Sequence, residues 1–223
     1  SMTGVNTISP TWFSVASKDG TVSSLADSSY VETAHEKGLE VWGLVDNFDQ
    51  EVDMKEVLTN TTAREKLTTQ LIEAALEYQL DGLNIDFENL GEELGDAYIE
   101  FLRELSIQCR KNNLVLSSDN TVPRDFSAYY QRSEQAEVVD YFIIMGYDEH
   151  YVGSDPGSVA SLSFEKEGIE STIAEGVPAD KIISGVPFYT RLWKTDTSGE
   201  VSSEAIGMNT ADSTLEANGV TAN

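Results

Sequence analysis

Six short apolar runs recur along the chain at intervals of roughly 25 to 40 residues, and each interval has room for one helix. The runs occupy residues 5–15, 39–48, 80–90, 114–123, 139–150 and 181–193. Between them the periodicity becomes helical. Leu67, Leu71, Ala75 and Tyr78 share a face behind Thr62-Ala63-Arg64-Glu65, which fits a capping box. Leu94, Tyr98, Leu102, Leu105 and Cys109 share another face, and Gly38 before Leu39 reads as a helix C-cap. This rhythm predicts an α/β fold, either a barrel or an open doubly wound sheet.

The strand ends favour the barrel. Each run is apolar first and polar last, closing on Asp46-Asn47, Ser118-Asp119-Asn120, Tyr147-Asp148-Glu149-His150 or Tyr189-Thr190-Arg191. Side chains at the C-terminal ends of parallel strands line the site in both folds. No Gly-rich phosphate loop follows the first run, which counts against a nucleotide-binding sheet.

Composition narrows the partners. With 14 Lys+Arg against 39 Asp+Glu the net charge is −25, which repels phosphate backbones, so neither nucleic acid nor an anionic membrane is expected as a partner. No apolar run approaches the roughly 18 residues of a membrane span. One cysteine excludes a disulfide framework, and two histidines exclude a His-rich zinc site. Nothing in the sequence calls for a metal or a cofactor.

The most informative segment is Asp81-Gly82-Leu83-Asn84-Ile85-Asp86-Phe87-Glu88. On a strand, Leu83, Ile85 and Phe87 point one way and Asn84, Asp86 and Glu88 the other. A half-solvated edge strand is the plain alternative. Parallel strands, however, are covered on both faces, and polar groups on a buried face cost several kcal/mol unless they serve a site. Carboxylates two residues apart lie roughly 7 Å from each other by strand rise, close enough for one to raise the pKa of the other. Glu88, nearest the open end and longest in reach, is the expected general acid, with Asp86 behind it as orienter and charge stabiliser. Asp81, on the other parity, reads as structural.

The segment Leu80 to Glu88 resembles the DxxDxDxE signature of family 18 glycoside hydrolases, with Asn84 where many members carry Asp. Met145-Gly146-Tyr147-Asp148 resembles their MxYD motif, and Gly185-Val186-Pro187-Phe188-Tyr189-Thr190-Arg191 their seventh-strand segment. The wording of the last two motifs is similar to the spore-germination and cell-wall branch, N-acetylglucosaminidases acting on peptidoglycan, spore cortex included. The resemblance implies a (β/α)8 TIM barrel, represented here by strands two to seven, and a substrate-assisted retaining mechanism. In it Glu88 is the acid and base, Asp86 and Tyr147 position the acetamido group, and Asn84, Asp148, Met145, Tyr189 and Arg191 contact substrate. It also implies a glycan partner and an extracellular, cell-wall or spore-associated location. Chitin remains the alternative substrate, and a lectin-like barrel the alternative class; retention of Glu88 favours the enzyme.

The remaining candidates divide. Trp12 fits a sugar platform and a core position equally. Asp46-Asn47 and Asp119-Asn120 either line the mouth or cap the helices that follow; capping is favoured for Asp46 and Asp119 and substrate contact for Asn120, while His150 reads as a loop hydrogen-bonder. Ser1-Met2 reads as a cloning scar on an excised segment. Residues 1–193 are expected to form the partial barrel, and 194–223 a flexible tail or the start of an insertion subdomain. A six-stranded arc leaves two open edges, which predicts self-association or partial disorder.

Overall fold

A computed structural model describes residues 4–219. Its strands are β1 (Thr7–Ile8), β2 (Thr11–Val15), β3 (Val22–Ser24), β4 (Glu40–Asp46), β5 (Gly82–Asp86), β6 (Val115–Thr121), β7 (Tyr141–Met145), β8 (Ile182–Gly185), β9 (Tyr189–Thr195) and β10 (Val201–Gly207). Its α-helices are α1 (Ser28–Glu36), α2 (Met54–Leu58), α3 (Thr61–Glu77), α4 (Gly95–Lys111), α5 (Arg132–Ala136), α6 (Leu162–Ala174) and α7 (Ala211–Asn218).

The main sheet runs β3-β2-β4-β5-β6-β7-β8, with β1 also on β4. Parallel ladders join β2 to β4, β4 to β5, β5 to β6, β6 to β7 and β7 to β8; only the β2–β3 pairing is antiparallel. Each of the six apolar runs therefore supplies a parallel strand.

Alternation along the strands separates two faces. The outward set, including Leu83, Ile85 and Phe87, joins Leu67, Leu71, Tyr98, Phe101 and Leu102 of α3 and α4 in one buried core, and Phe87 stacks on Phe101 at 5.4 Å. Inside the arc, near the strand N-termini, Trp42 stacks on Tyr141 at 5.4 Å. Gly82 makes room for that layer: a Cβ there would stand 2.9 Å from the Trp42 ring and 2.7 Å from the Val115 carbonyl oxygen. The strand C-termini are left to polar groups.

Two local expectations are corrected. α3 begins one residue before Thr62, and Asn60, not a capping box, caps it: Asn60 Oδ1 accepts from the N–H groups of Thr62 (3.0 Å) and Ala63 (3.3 Å). The run 181–193 is not one strand. β8 ends at Gly185, and Tyr189–Thr195 leaves the sheet to pair antiparallel with Val201–Gly207. Pro187, which has no N–H and a fixed φ, stands between the two. Gly38 behaves as expected: its φ is 72°, and the amides of Gly38 and Leu39 close back on His35 and Ala34 (2.9 and 3.0 Å) in a Schellman motif.

Candidate active site

Asn84 and Asp86 sit on the inner face of β5, both buried. The β4–β5 register sets Asp46 opposite Asp86, and the β5–β6 register, with Ile85 beside Ser118, brings Asp119 to the next rung. Glu88, just beyond the end of β5, is half-buried. Asp46, Asp86, Glu88 and Asp119 thus converge at the mouth of the arc. A cleft beside Glu88 is lined by Asn89, Asp119, Thr121, Phe126, Tyr129 and Met145. A hollow of about 500 Å³ lies instead between α3 and α4, away from these carboxylates.

Burial governs the ionisation here. Asp86 is pushed up to about 7, first by burial and then by the charges of Glu88 and Asp46. Asp119 is likewise pushed up to about 7 by burial and by Asp86, against the lowering effect of a hydrogen bond from Asn84. Glu88 is raised by burial and by Asp148. An upward shift keeps a carboxyl protonated nearer neutrality, as a general acid requires.

The second motif comes in over the top. Met145 ends β7, and Tyr147 follows half-buried, its ring 6.1 Å from that of Tyr189 in an edge-on arrangement. The Tyr147 hydroxyl is raised well above its ordinary value by burial and by the surrounding carboxylates, so it remains a hydrogen-bond donor. Asp148, in the left-handed region with φ 57°, accepts from the Tyr189 hydroxyl at 2.7 Å and lies 3.6 Å from the Arg191 guanidinium. These contacts tie the β9–β10 hairpin to the strand-end cluster.

Of the other candidates, Asn120 is buried and borders the cleft beside Glu88, its amide joined both ways to Gln135 (3.0 and 2.9 Å). Trp12 lies at a register shift in β2 and packs edge-on against Tyr30 at 5.3 Å. His150 pairs through Nδ1 with the Asp155 carbonyl at 2.8 Å. Asp81 accepts from the Val41 amide at 2.7 Å and faces His35 Nε2 at 2.8 Å, joining the starts of β4 and β5.

Asp46 and Asp119 are not helix caps. Asp53 caps α2, while Asp46 Oδ1 accepts from Ser14 Oγ at 2.6 Å and from the Phe48 amide at 3.1 Å. Asp119 Oδ2 accepts from Asn84 Nδ2 at 2.9 Å. The available signal was parity: Ser117 and Asp119 alternate on β6 as Asn84 and Asp86 do on β5. Asn47, next to Asp46 at the end of the same run, pairs through its amide with the main chain of Glu88.

The sequence profile of glycosyl hydrolases family 18 matches residues 11–222. The chain belongs to glycosyl hydrolases family 18. The fold of this family 18 chain is accordingly that of the (β/α)8 barrel, six of whose parallel strands are described above. YvbX of Bacillus subtilis, an uncharacterized glycosylase, is 28% identical over 188 residues, 79% of this chain and 54% of that protein. YdhD of the same organism, assigned by name as a sporulation-specific glycosylase, is 32% identical over 193 residues, 81% of this chain and 45% of that protein. The YdhD crystal structure superposes with a TM-score of 0.87 at 28% identity, covering 96% of this chain and 74% of the crystallised one. The cortical fragment-lytic enzyme of B. subtilis is 27% identical over 157 residues, 67% of this chain and 36% of that enzyme. The family 18 chain spans about half the length of the curated relatives it matches.

Proposed function

We propose that this family 18 chain cleaves β-1,4 bonds after N-acetylglucosamine in peptidoglycan or spore-cortex fragments, by a substrate-assisted retaining mechanism. The observation that carries the reading is the inner face of β5, where Asp86 is buried and pushed up to about 7 beside Glu88, itself raised by burial. The relatives named for sporulation and for cortical fragments favour peptidoglycan over plain chitin, and a cell-wall or spore-associated site of action goes with that substrate. We also read β9, β10 and α7 as the start of an insertion subdomain at the rim of the site.

In this reading the Glu88 carboxylic acid gives its proton to the glycosidic oxygen as the C1–O bond breaks. The carbonyl oxygen of the sugar's own 2-acetamido group forms the new bond to C1, giving an oxazolinium ion; this is a known exception to the two-carboxylate scheme. Asp86 accepts a hydrogen bond from the acetamido N–H and balances the positive charge, while the Tyr147 hydroxyl fixes the acetamido oxygen for attack. Glu88, now a carboxylate, takes a proton from the water that attacks C1 and opens the ring, with net retention. Asp148, Tyr189 and Arg191 hold sugar hydroxyls at the rim.

The test is mass spectrometry of muropeptides released from purified peptidoglycan and spore cortex by the full-length protein and by Glu88→Gln. New reducing-end N-acetylglucosamine, reduced about 10²- to 10⁴-fold in the variant, is the expected result. Release from chitin oligomers alone would move the substrate to chitin. Glycan binding without any product would move the function to a lectin-like barrel.

A further inference from the structure

Asn84 occupies the position at which a second buried carboxyl is expected, and an amide cannot hold or release a proton there. Its contacts lead to one that can. Ser117 Oγ donates to Asn84 Oδ1 at 2.8 Å, and Asn84 Nδ2 donates to Asp119 Oδ2 at 2.9 Å. The carboxylate needs a donor, which settles the orientation of the amide. Asp119 Oδ1 and Asp86 Oδ1 are both buried and have no hydrogen-bond partner within the protein. Two buried carboxyls on adjacent rungs do not both ionise readily, so they titrate as a pair. The other titratable groups whose charge reaches Asp119 or Asp86 are Asp46 from β4, Glu88 beyond β5, Tyr98 from α4 and Tyr147 beyond β7. All six are acids, and no cation is among them.

We propose that Asp119 is a positioning residue for the reaction of this site: the carboxyl that Asn84 lacks has moved one strand over, and Asp119, held by Asn84, is the neutral member of the pair when Asp86 carries the negative charge beside the positive charge forming on the substrate. No hydrogen bond joins the two carboxyls, so they are coupled through their charges, and the pair exchanges its one proton with solvent. This inference rests on the glycosidase reading of Asp86 and Glu88.

Amide and carboxyl can be exchanged without changing the shape of the network. In the double variant Asn84→Asp/Asp119→Asn, the new amide at 119 donates to the new carboxylate at 84, and Ser117 still has its acceptor. With the full-length protein, Asp119→Asn is expected to lower kcat between about 10- and 100-fold with KM little changed and to remove one ionisation from the pH–kcat profile. The exchange variant should recover most of both. Carbon-13 NMR of the aspartate carboxyls gives a readout independent of turnover: Asp86 should titrate lower in Asp119→Asn and return upward in the exchange variant. An unchanged Asp86 titration in Asp119→Asn would overturn the proposal. So would an exchange variant that folds, by its thermal melt, yet remains as slow as Asp119→Asn. Full activity in Glu88→Gln would instead overturn the glycosidase reading on which it rests.

Discussion

Asn47 grips the main chain of Glu88 by both of its polar groups: Asn47 Nδ2 donates to the Glu88 carbonyl and Asn47 Oδ1 accepts from the Glu88 N–H, each at 2.9 Å. The β4–β5 ladder has ended one rung earlier, at Asp46 and Asp86, so a side-chain amide continues the pairing that a peptide group would have made. The Tyr130 hydroxyl donates to the Phe87 carbonyl at 2.8 Å just before it, and Asn89, just after, turns the chain away with φ 54°. The backbone of Glu88 is thus fixed where regular sheet hydrogen bonding has stopped.

Asn47→Ala leaves that donor and acceptor unpaired in a half-buried setting. A stability loss of about 1–3 kcal/mol is expected, together with a fall in kcat greater than the fall in substrate affinity, because the acid is no longer aimed. Urea unfolding and steady-state kinetics on the same preparation check both. Loss of stability with unchanged kcat would confine Asn47 to a structural role.

The shifts at Asp86 and Asp119 also set a pH dependence of stability. Both are pushed up to about 7 in the folded chain, whereas an unfolded aspartate titrates near 3.9. Between those limits the folded state binds more protons than the unfolded state, so these groups make stability fall as pH rises. Their contribution is most favourable at about pH 4 and is lost by the time pH passes about 7. Tm is expected to decline from pH 5 to pH 8, and less steeply in Asp119→Asn. A scanning-calorimetry series that shows the same slope in both proteins would contradict this.

The sheet of the described residues ends on β3 at one side and β8 at the other. Beside β8, Ile183, Val186 and Phe188 are exposed, Phe188 at 86%. An unpaired edge with apolar neighbours is a template for association. A polypeptide of these 223 residues is therefore expected to scatter light as more than a monomer, and Ile183→Lys with Val186→Lys to shift it toward the monomer. A monomer at all concentrations would refute this.

Much of the fold was legible because its signals are local. Side-chain period is a property of a single strand or helix, so the six runs, the α4 stripe ending at Cys109, and the shared face of Asn84, Asp86 and Glu88 could be read from one segment at a time. Pro187 carried the break in the last run, but apolar residues on both sides hid it. Capping was harder, since Asn60 and Thr62 are two residues apart and both suit the role.

The sequence by itself determined which residues face inward on β5 and marked its polar face as a candidate site. Only the tertiary structure decided what stands next to that face. Asp119 and Asp46 suit caps until the parallel register sets them beside Asp86, the role of Asn47 is open until its amide meets Glu88, and nothing local pairs Asn120 with Gln135. The physical reason is that hydrogen bonds between strands, and the burial that raises a carboxyl's pKa, depend on partners 15 to 41 positions away in the chain, and chain periodicity carries no information about them.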